Sequence, residues 1–359
     1  MARTPRARSS TERSSAAVTL QQVAEHAGVS IATASRALHG ATGRSVGEEL
    51  RRRVLAAATE LDYVSNAPAQ ALARSRSSTI GLVIHDIADP YFAAIVAGVS
   101  RAAREHELMV MLAATFREPL LELDYLRRVR TQRADGVLLA GSGCTEPAFA
   151  ARLADTLTGF TEDGGRVVCI GDHGLDADLV TVDHRRAAEL AVAHLWELGH
   201  RRIGVLAGPA GLVGADRQLD GIRRALAARG APLPPEHLTR TELTRADGRS
   251  AATQLLTKQT DLTAVLAVDD TLAAGALTTL RDDLHRAVPA EVSVVGLGGL
   301  PFTADLHPSL TTVRFPLERL GARALELLLE APERRGPRRT VELDVELTVR
   351  SSTGPAPSD

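Results

Sequence analysis

Near the start of the chain, the side chains best suited to recognition chemistry sit on one short segment. In Ser30-Ile31-Ala32-Thr33-Ala34-Ser35-Arg36-Ala37-Leu38, helical spacing sends Ala34, Ala37 and Leu38 to one side and Ile31, Ala32, Ser35 and Arg36 to the other. The outer face is small and polar and carries a guanidinium, which can donate two hydrogen bonds to one base edge. A helix so narrow fits the major groove of DNA. An αα-hairpin from another small domain would show the same local pattern.

Other reactive residue types are less well arranged. Asp269-Asp270 could suggest acid–base work, but adjacent residues point in different directions and no nucleophile or metal set joins them. Gly296-Leu297-Gly298-Gly299 is glycine-rich, yet no helix follows to cradle a phosphate. Cys144 and Cys169 lack metal-ligand spacing and are expected to stay reduced. The pattern predicts a binding protein rather than an enzyme, with no cofactor and no metal.

The elements around the outer helix are legible. Leu20, Val23, Ala24 and Ala27 recur at helical spacing, Thr19 and Gln22 can form a capping box, Gly28 suits a tight turn, and Ser30 can cap the second helix. A third helix is expected over about 48–62, with Leu50, Val54, Leu55, Ala58 and Leu61 inward and Ser45 with Glu48 at capping-box spacing. Arg51, Arg52 and Arg53 read as a solvated face from which one or two can reach phosphate. Residues 63–73 are too few to be a stable helix alone, but could become one when docked on DNA. From Ile80 strands and helices alternate. Strands are expected at 80–85, 108–113, 136–140, 167–171, 203–207, 264–268 and 292–297, and helices at 91–106, 120–132, 185–198, 216–229, 248–258 and 271–283. A helix at 317–329 and a strand at 341–349 complete the series. The alternation predicts doubly wound parallel sheets in two lobes.

Charge divides the chain. Residues 1–76 carry an excess of five positive charges, whereas the whole chain has net charge -2. A basic head on an acidic body implies that the head meets a polyanion. No apolar run approaches the ~20 residues that cross a membrane, and the Arg- and Ser-rich start has no apolar core of a secretory signal.

Taken in order, these segments resemble the lactose-repressor (LacI/GalR) family of bacterial transcription regulators over roughly residues 18–350. The markers are Val-Ala-Glu-His-Ala-Gly-Val-Ser-Ile-Ala-Thr-Ala-Ser-Arg-Ala-Leu at 23–38, the run from Tyr63 to Leu72, and Ile-Gly-Leu-Val-Ile-His-Asp-Ile-Ala-Asp-Pro-Tyr-Phe at 80–92. Further on come Ala-Asp-Gly-Val-Leu-Leu at 134–139, Leu-Gly-His-Arg-Arg-Ile at 198–203, Val-Ser-Val-Val-Gly at 292–296 and Leu-Thr-Thr-Val-Arg at 310–314. The resemblance implies a disordered basic arm (1–17), an all-α helix-turn-helix head (18–62), a hinge helix and linker (63–79), and a two-lobed α/β effector-binding and dimerisation domain of the periplasmic-binding-protein type (80–350). The tail, 351–359, is expected to be disordered. Crossings between the lobes are expected near 181–184, 312–315 and 336–341.

The resemblance further implies a cytoplasmic, dimeric repressor, nucleoid-associated when bound, that reads a near-palindromic double-stranded operator. It puts Ile31, Ala32 and Arg36 at base-facing positions, Ser30, Thr33 and Ser35 nearer the DNA backbone, and Thr19 and Leu20 close to the duplex. Asn66 and Leu72 fall in the hinge, with Leu72 as the minor-groove wedge. Ser65 stands where the family usually has proline, His39 where it has asparagine, and the loop over 41–47 is long. Arg36 could instead pair with an acid such as Glu25. For the sensor, ligands sit beyond the carboxyl ends of the strands, which selects Asp86, Asp89, Tyr91, Phe92, Ser142, Asp216, Arg217, Asp269, Asp270, Gly298 and Gly299. Asp216 stands where the family has arginine, Gly298 where it has aspartate, and Asp269 where it has asparagine. Arg217 is the candidate substitute for the missing arginine. The cleft is therefore expected to take a neutral or cationic small molecule, with a sugar or oligosaccharide the leading class. An effector-independent regulator and a cytoplasmic ligand-binding protein of the same sensor fold are the alternatives. Trp196 reads as packing.

Overall fold

Two apolar periodicities build two separate units, residues 1–77 and 78–359, of which the computed structural model describes 18–39, 46–63, 78–330 and 338–358. In the first unit, α1 (Leu20–His26), α2 (Ile31–His39) and α3 (Glu48–Glu60) close around Val23, Ala24, Ala27, Ala34, Ala37, Val54 and Ala57. The capping box forms: Thr19 Oγ1 accepts from Gln22 N at 3.3 Å and Thr19 N donates to Gln22 Oε1 at 2.8 Å. Gly28 takes φ +64°, and beside it Arg53 Nη2 donates to Ala27 O at 2.6 Å, satisfying a carbonyl at the end of α1. Arg53 is thereby committed within the head. The inward stripe of α3 is Val54, Ala57, Ala58 and Leu61; Leu55 lies one residue off it and Leu50 in the first turn, and both are exposed, against expectation. The N-cap of α3 is Gly47, without a side-chain bond, and Ser45 lies outside the described residues. The expected basic arm, most of the hinge and linker, and most of the long loop also lie outside them.

The second unit has two six-stranded sheets. In chain order its elements are β1 (Thr79–Ile84), α4 (Pro90–Glu105), β2 (Met109–Ala114), α5 (Pro119–Thr131), β3 (Gly136–Ala140), α6 (Pro147–Glu162), β4 (Arg166–Ile170) and β5 (Asp178–Val182). There follow α7 (His184–Glu197), β6 (Ile203–Ala207), α8 (Val213–Ala227), β7 (Leu238–Arg240), α9 (Arg245–Lys258), β8 (Ala264–Ala267), α10 (Asp270–Thr278), β9 (Ser293–Gly298), β10 (Thr311–Arg314), α11 (Leu317–Leu329), β11 (Thr340–Leu343) and β12 (Glu346–Thr348). Lobe 1 has the strand order β11-β5-β4-β3-β1-β2 and lobe 2 the order β12-β10-β9-β8-β6-β7. Every pairing is parallel except β10 with β12. β3 and β6 are buried along their whole length, as strands covered by helices on both faces must be.

The chain crosses between lobes between β5 and α7, between β10 and α11, and between β11 and β12. The third crossing corrects the expected one near 336–341. It also divides the single strand expected at 341–349, because residues 344–345 leave one ladder before the chain enters the other. After the second crossing α11 returns onto α4. A Cβ added to Gly98 would lie 1.9 Å from Glu318 O, and one added to Gly321 would lie 2.3 Å from Ile95 O, so the two backbones touch.

The tail is ordered through residue 358, contrary to expectation. Ser352 is fully buried. Its Oγ donates to Val294 O at 2.6 Å and accepts from Thr311 N at 2.8 Å, while Ala356 N donates to Leu198 O at 2.7 Å. His200, also fully buried, holds Gly354 O at 3.1 Å through Nε2. Polar residues keep the segment in place by non-local hydrogen bonds, which apolar periodicity does not reveal.

Candidate DNA-reading face and interlobe cleft

On α2, Ala34 and Ala37 are buried while Ile31, Ala32 and Arg36 face solvent, Ile31 at 50% exposure. Ser30 Oγ accepts from Thr33 N at 3.2 Å, so both hydroxyls serve the helix start, and Ser35 is half-buried. Arg36 Nε donates to Ala32 O at 3.1 Å. No carboxylate among the described residues pairs with Arg36; Glu25 accepts from Gln21 Nε2 instead, at 3.0 Å. Thr19 is exposed and Leu20 half-buried against the head core. Asn66 and Leu72, with Ser65, lie outside the described residues.

The sensor cleft is built where strand ends of the two lobes face each other. In lobe 1 Asp89 caps α4, its Oδ1 accepting from Tyr91 N at 2.9 Å. In lobe 2 Asp269 caps α10, its Oδ1 accepting from Thr271 N at 2.7 Å and Leu272 N at 3.3 Å. Each carboxylate thus keeps one oxygen outside these cap bonds. Burial, then Asp270 and Asp89, push Asp269 up to about 7, and burial raises Asp89 as well. Burial, then the charges of Asp89 and Asp269, also raises the Tyr91 phenol.

Around this centre the lobes bind each other directly. Thr145 N donates to Gly211 O at 3.0 Å and Val213 N to Gly143 O at 3.1 Å, an antiparallel bridge centred on Cys144 and Leu212. Leu212 is the N-cap of α8 and has no capping side chain, but Ser142 Oγ accepts from Gly214 N at 2.7 Å. Orphan donors of an α8 start in lobe 2 are therefore satisfied by lobe 1. Arg217 pairs with Asp172, a lobe 1 carboxylate only 9% exposed, and Arg338 Nη2 lies 4.0 Å from the same group. Arg117 Nη1 approaches Glu242 Oε2 at 3.9 Å.

Matches to known proteins agree with this geometry. Residues 77–345 match the periplasmic binding proteins and sugar binding domain of the LacI family, and residues 19–66 match the bacterial regulatory proteins of the lacI family. The chain belongs to the LacI family. It is 33% identical over 313 residues to the HTH-type transcriptional regulator GalS of Salmonella typhimurium, covering 87% of this chain and 89% of that protein. With the HTH-type transcriptional repressor CytR of Escherichia coli it shares 31% over 344 residues, 95% and 98% of the two chains. Among solved structures, the lac repressor dimer bound to operator and the anti-inducer ONPF aligns with a TM-score of 0.82 at 26% identity, over 94% of this chain and all of that one. A complex of the transcriptional regulator CelR with cellobiose aligns with a TM-score of 0.69 at 30% identity, over 93% and 99%. As a LacI-family member the chain is a DNA-binding transcriptional regulator with a sensor of the sugar-binding type.

Within this LacI-family sensor the expected ligand residues separate into two groups. Asp89 and Asp269 cap helices that start at the strand ends of the two lobes, with Tyr91 beside Asp89; Ser142 stands at the lobe junction. Asp216 does not remain available, because Arg240 Nη2 donates to it at 2.7 Å and Gly211 N at 3.2 Å. Arg217, the candidate substitute for the missing arginine, is paired with Asp172. Phe92 is buried edge-on to His85 and Tyr91 and offers no flat face. Asp270 is fully buried, accepting from Thr312 Oγ1 at 2.5 Å and Leu300 N at 2.8 Å, and so braces the Gly298-Gly299 turn to β10. Trp196 lies under the Arg201 guanidinium, 3.8 Å from the ring centroid.

Strand-end reasoning overlooked His85, Arg117, Asp172 and His184. His85 Nε2 accepts from Ser142 N at 3.3 Å; burial, then His173 and Arg117, pull it down to about 4, so it is neutral. His184, at the first crossing, stacks edge-on to Phe315 at the second, and burial with Arg217 holds it at about 4. All four stand at strand ends or crossings that became visible only once the sheets were ordered.

Proposed function

We propose that the protein is a dimeric bacterial repressor of carbohydrate-utilisation genes, acting in the cytoplasm, whose affinity for a near-palindromic operator changes when a small hydroxyl-rich effector enters the interlobe cleft. It catalyses no reaction. The observation that carries this reading is a cleft closed by the Ser142–Gly214 bond and the Arg217–Asp172 pair, with the helix-capping carboxylates Asp89 of lobe 1 and Asp269 of lobe 2 at its strand ends, in a molecule whose head leaves Ile31, Ala32 and Arg36 unengaged by core packing or ion pairs. Paired heads read paired half-sites. An apolar margin on lobe 1 supports pairing: Met109, Phe116 and Leu120, at the edge strand β2 and just after it, are 60–70% exposed.

The mechanism is a population shift. Effector can act only by binding the closed and open cleft with different affinity. The cross-lobe bonds favour the closed form, so an effector acts by reinforcing or undoing them. Operator binding resolved by salt concentration tests the head. Arg36→Ala is expected to lose about 1–3 kcal/mol of discrimination between operator and scrambled duplex, whereas Leu72→Ala weakens operator binding by relieving the kink. Unchanged discrimination in both variants rules out the assigned roles. Operator release by a neutral sugar tests the cleft; an operator affinity that no effector alters would favour the effector-independent reading.

A further inference from the structure

The remaining cleft arginine is the informative one. Arg217 is committed to Asp172, Arg240 to Asp216 and Gly208 O, and Arg338 to Leu175 O at 3.0 Å. Arg117 follows β2 on a turn in which two successive non-glycine residues, Phe116 and Arg117, hold φ of 51° and 59°. That left-handed backbone costs on the order of 1 kcal/mol or more per residue and persists only where its surroundings enforce it. Here Thr115 N donates to Ile84 O at 2.9 Å and Phe116 N to His85 O at 2.7 Å, which staple the turn to the end of β1. The Arg117 side chain is 28% exposed, yet it donates no hydrogen bond to any described residue, and its Nε is buried without a partner. Among the described residues, the carboxylate in ion-pair range is Glu242 across the cleft, at 3.9 Å. A partly exposed guanidinium whose buried Nε has no partner among the described residues can still take an acceptor. The bond from Phe116 N to His85 O ties its turn to the β1 end that leads on to Asp89 and α4, and its charge lowers both Asp89 and His85.

We propose that Arg117 is an effector-binding residue, donating to an oxygen of a neutral polyol whose adjacent hydroxyl donates to Asp89. The assignment rests on the cleft being the effector site and specifies what that site selects. Every hydroxyl both donates and accepts, so two vicinal ones satisfy a carboxylate and a guanidinium at once. A dianionic sugar phosphate would face Asp89 and Asp269 with Arg117 alone to hold it, and an ammonium in place of the accepting hydroxyl has no lone pair to offer Arg117. The arginine expected from lobe 2 at residue 216 is thereby supplied by lobe 1.

The test is calorimetric titration of the full-length protein with cellobiose, galactose and ribose as neutral probes, and with glucose 6-phosphate and glucosamine as charged ones. Wild type should bind a neutral probe in preference to both charged ones. Arg117→Ala should weaken that binding about 10- to 100-fold, the loss expected for a hydrogen bond from a charged group, while keeping operator binding as proof of folding. Glu242→Gln removes the cross-cleft partner but keeps the guanidinium, and should change affinity by less than about threefold. An unchanged Kd in Arg117→Ala overturns the residue; tighter binding of a charged probe, or no neutral probe bound by wild type, overturns the ligand class. Failure of the wider reading looks different: Arg117-dependent sugar binding that leaves operator affinity unaltered.

Discussion

The head and the cleft are built by opposite rules. In the head most bonds are short in sequence, Thr19 to Gln22 and Ser30 to Thr33, and the core is small residues at helical spacing. That economy leaves the outer face of α2 unspent, free for DNA. In the cleft, Ser142 meets Gly214, Asp172 meets Arg217 and Arg117 approaches Glu242, each pair spanning two lobes. Most of its charged groups are spent on one another. The chemistry of the head can be read from what is exposed, and that of the cleft only from what is left unsatisfied.

The contrast can be broken by experiment. Arg217→Ala leaves Asp172 with Gly174 N and the more distant Arg338, and is expected to cost the sensor about 2–3 kcal/mol in urea unfolding. Operator discrimination should not move; if it does, head and cleft are not separable in this way. Glu122 gives a smaller effect with a characteristic sign. It is buried on α5, and burial alone lifts it from 4.5 to about 7. The folded protein therefore keeps a proton that the unfolded chain releases, and sensor stability should fall as pH rises from 4.5 through about 7. Glu122→Gln should flatten that slope and gain about 1–2 kcal/mol at pH 8, with no gain at pH 4; equal slopes in both proteins would show that another group titrates. Least affected should be Thr19→Ala, which removes the capping hydroxyl of α1 and should cost the head about 1 kcal/mol, read by thermal melting, with the sensor transition unchanged.

How much was legible follows the same division. Continuous apolar runs such as Ile80–Ile84 announced buried strands, and the turn chemistry of Thr19, Gly28 and Ser30 announced the helix pair, because burial and caps act locally. β7 and β10 escaped, being three and four residues long and partly polar. The tail escaped because Ser352 and His200 hold it by hydrogen bonds to distant strands. Asp216 and Arg217 were placed on the right helix but assigned the wrong partners, since Arg240 and Asp172 come from β7 and from the end of β4. Arg117 was invisible for the converse reason: only the folded surroundings show that its Nε is buried without a partner, as is that of Arg338, among the described residues.

The borrowed cap on α8 makes cleft opening a small unfolding event. Parting the lobes strips Val213 N and Gly214 N of the acceptors supplied by Gly143 and Ser142, and Leu212 has no side chain to replace them. The open sensor should then carry a frayed first turn, so the two states differ in helix length as well as in angle. Exchange of these two amides becomes a gauge of lobe position that needs no ligand and no DNA. An effector that speeds it is prising the lobes apart, and one that slows it is drawing them shut.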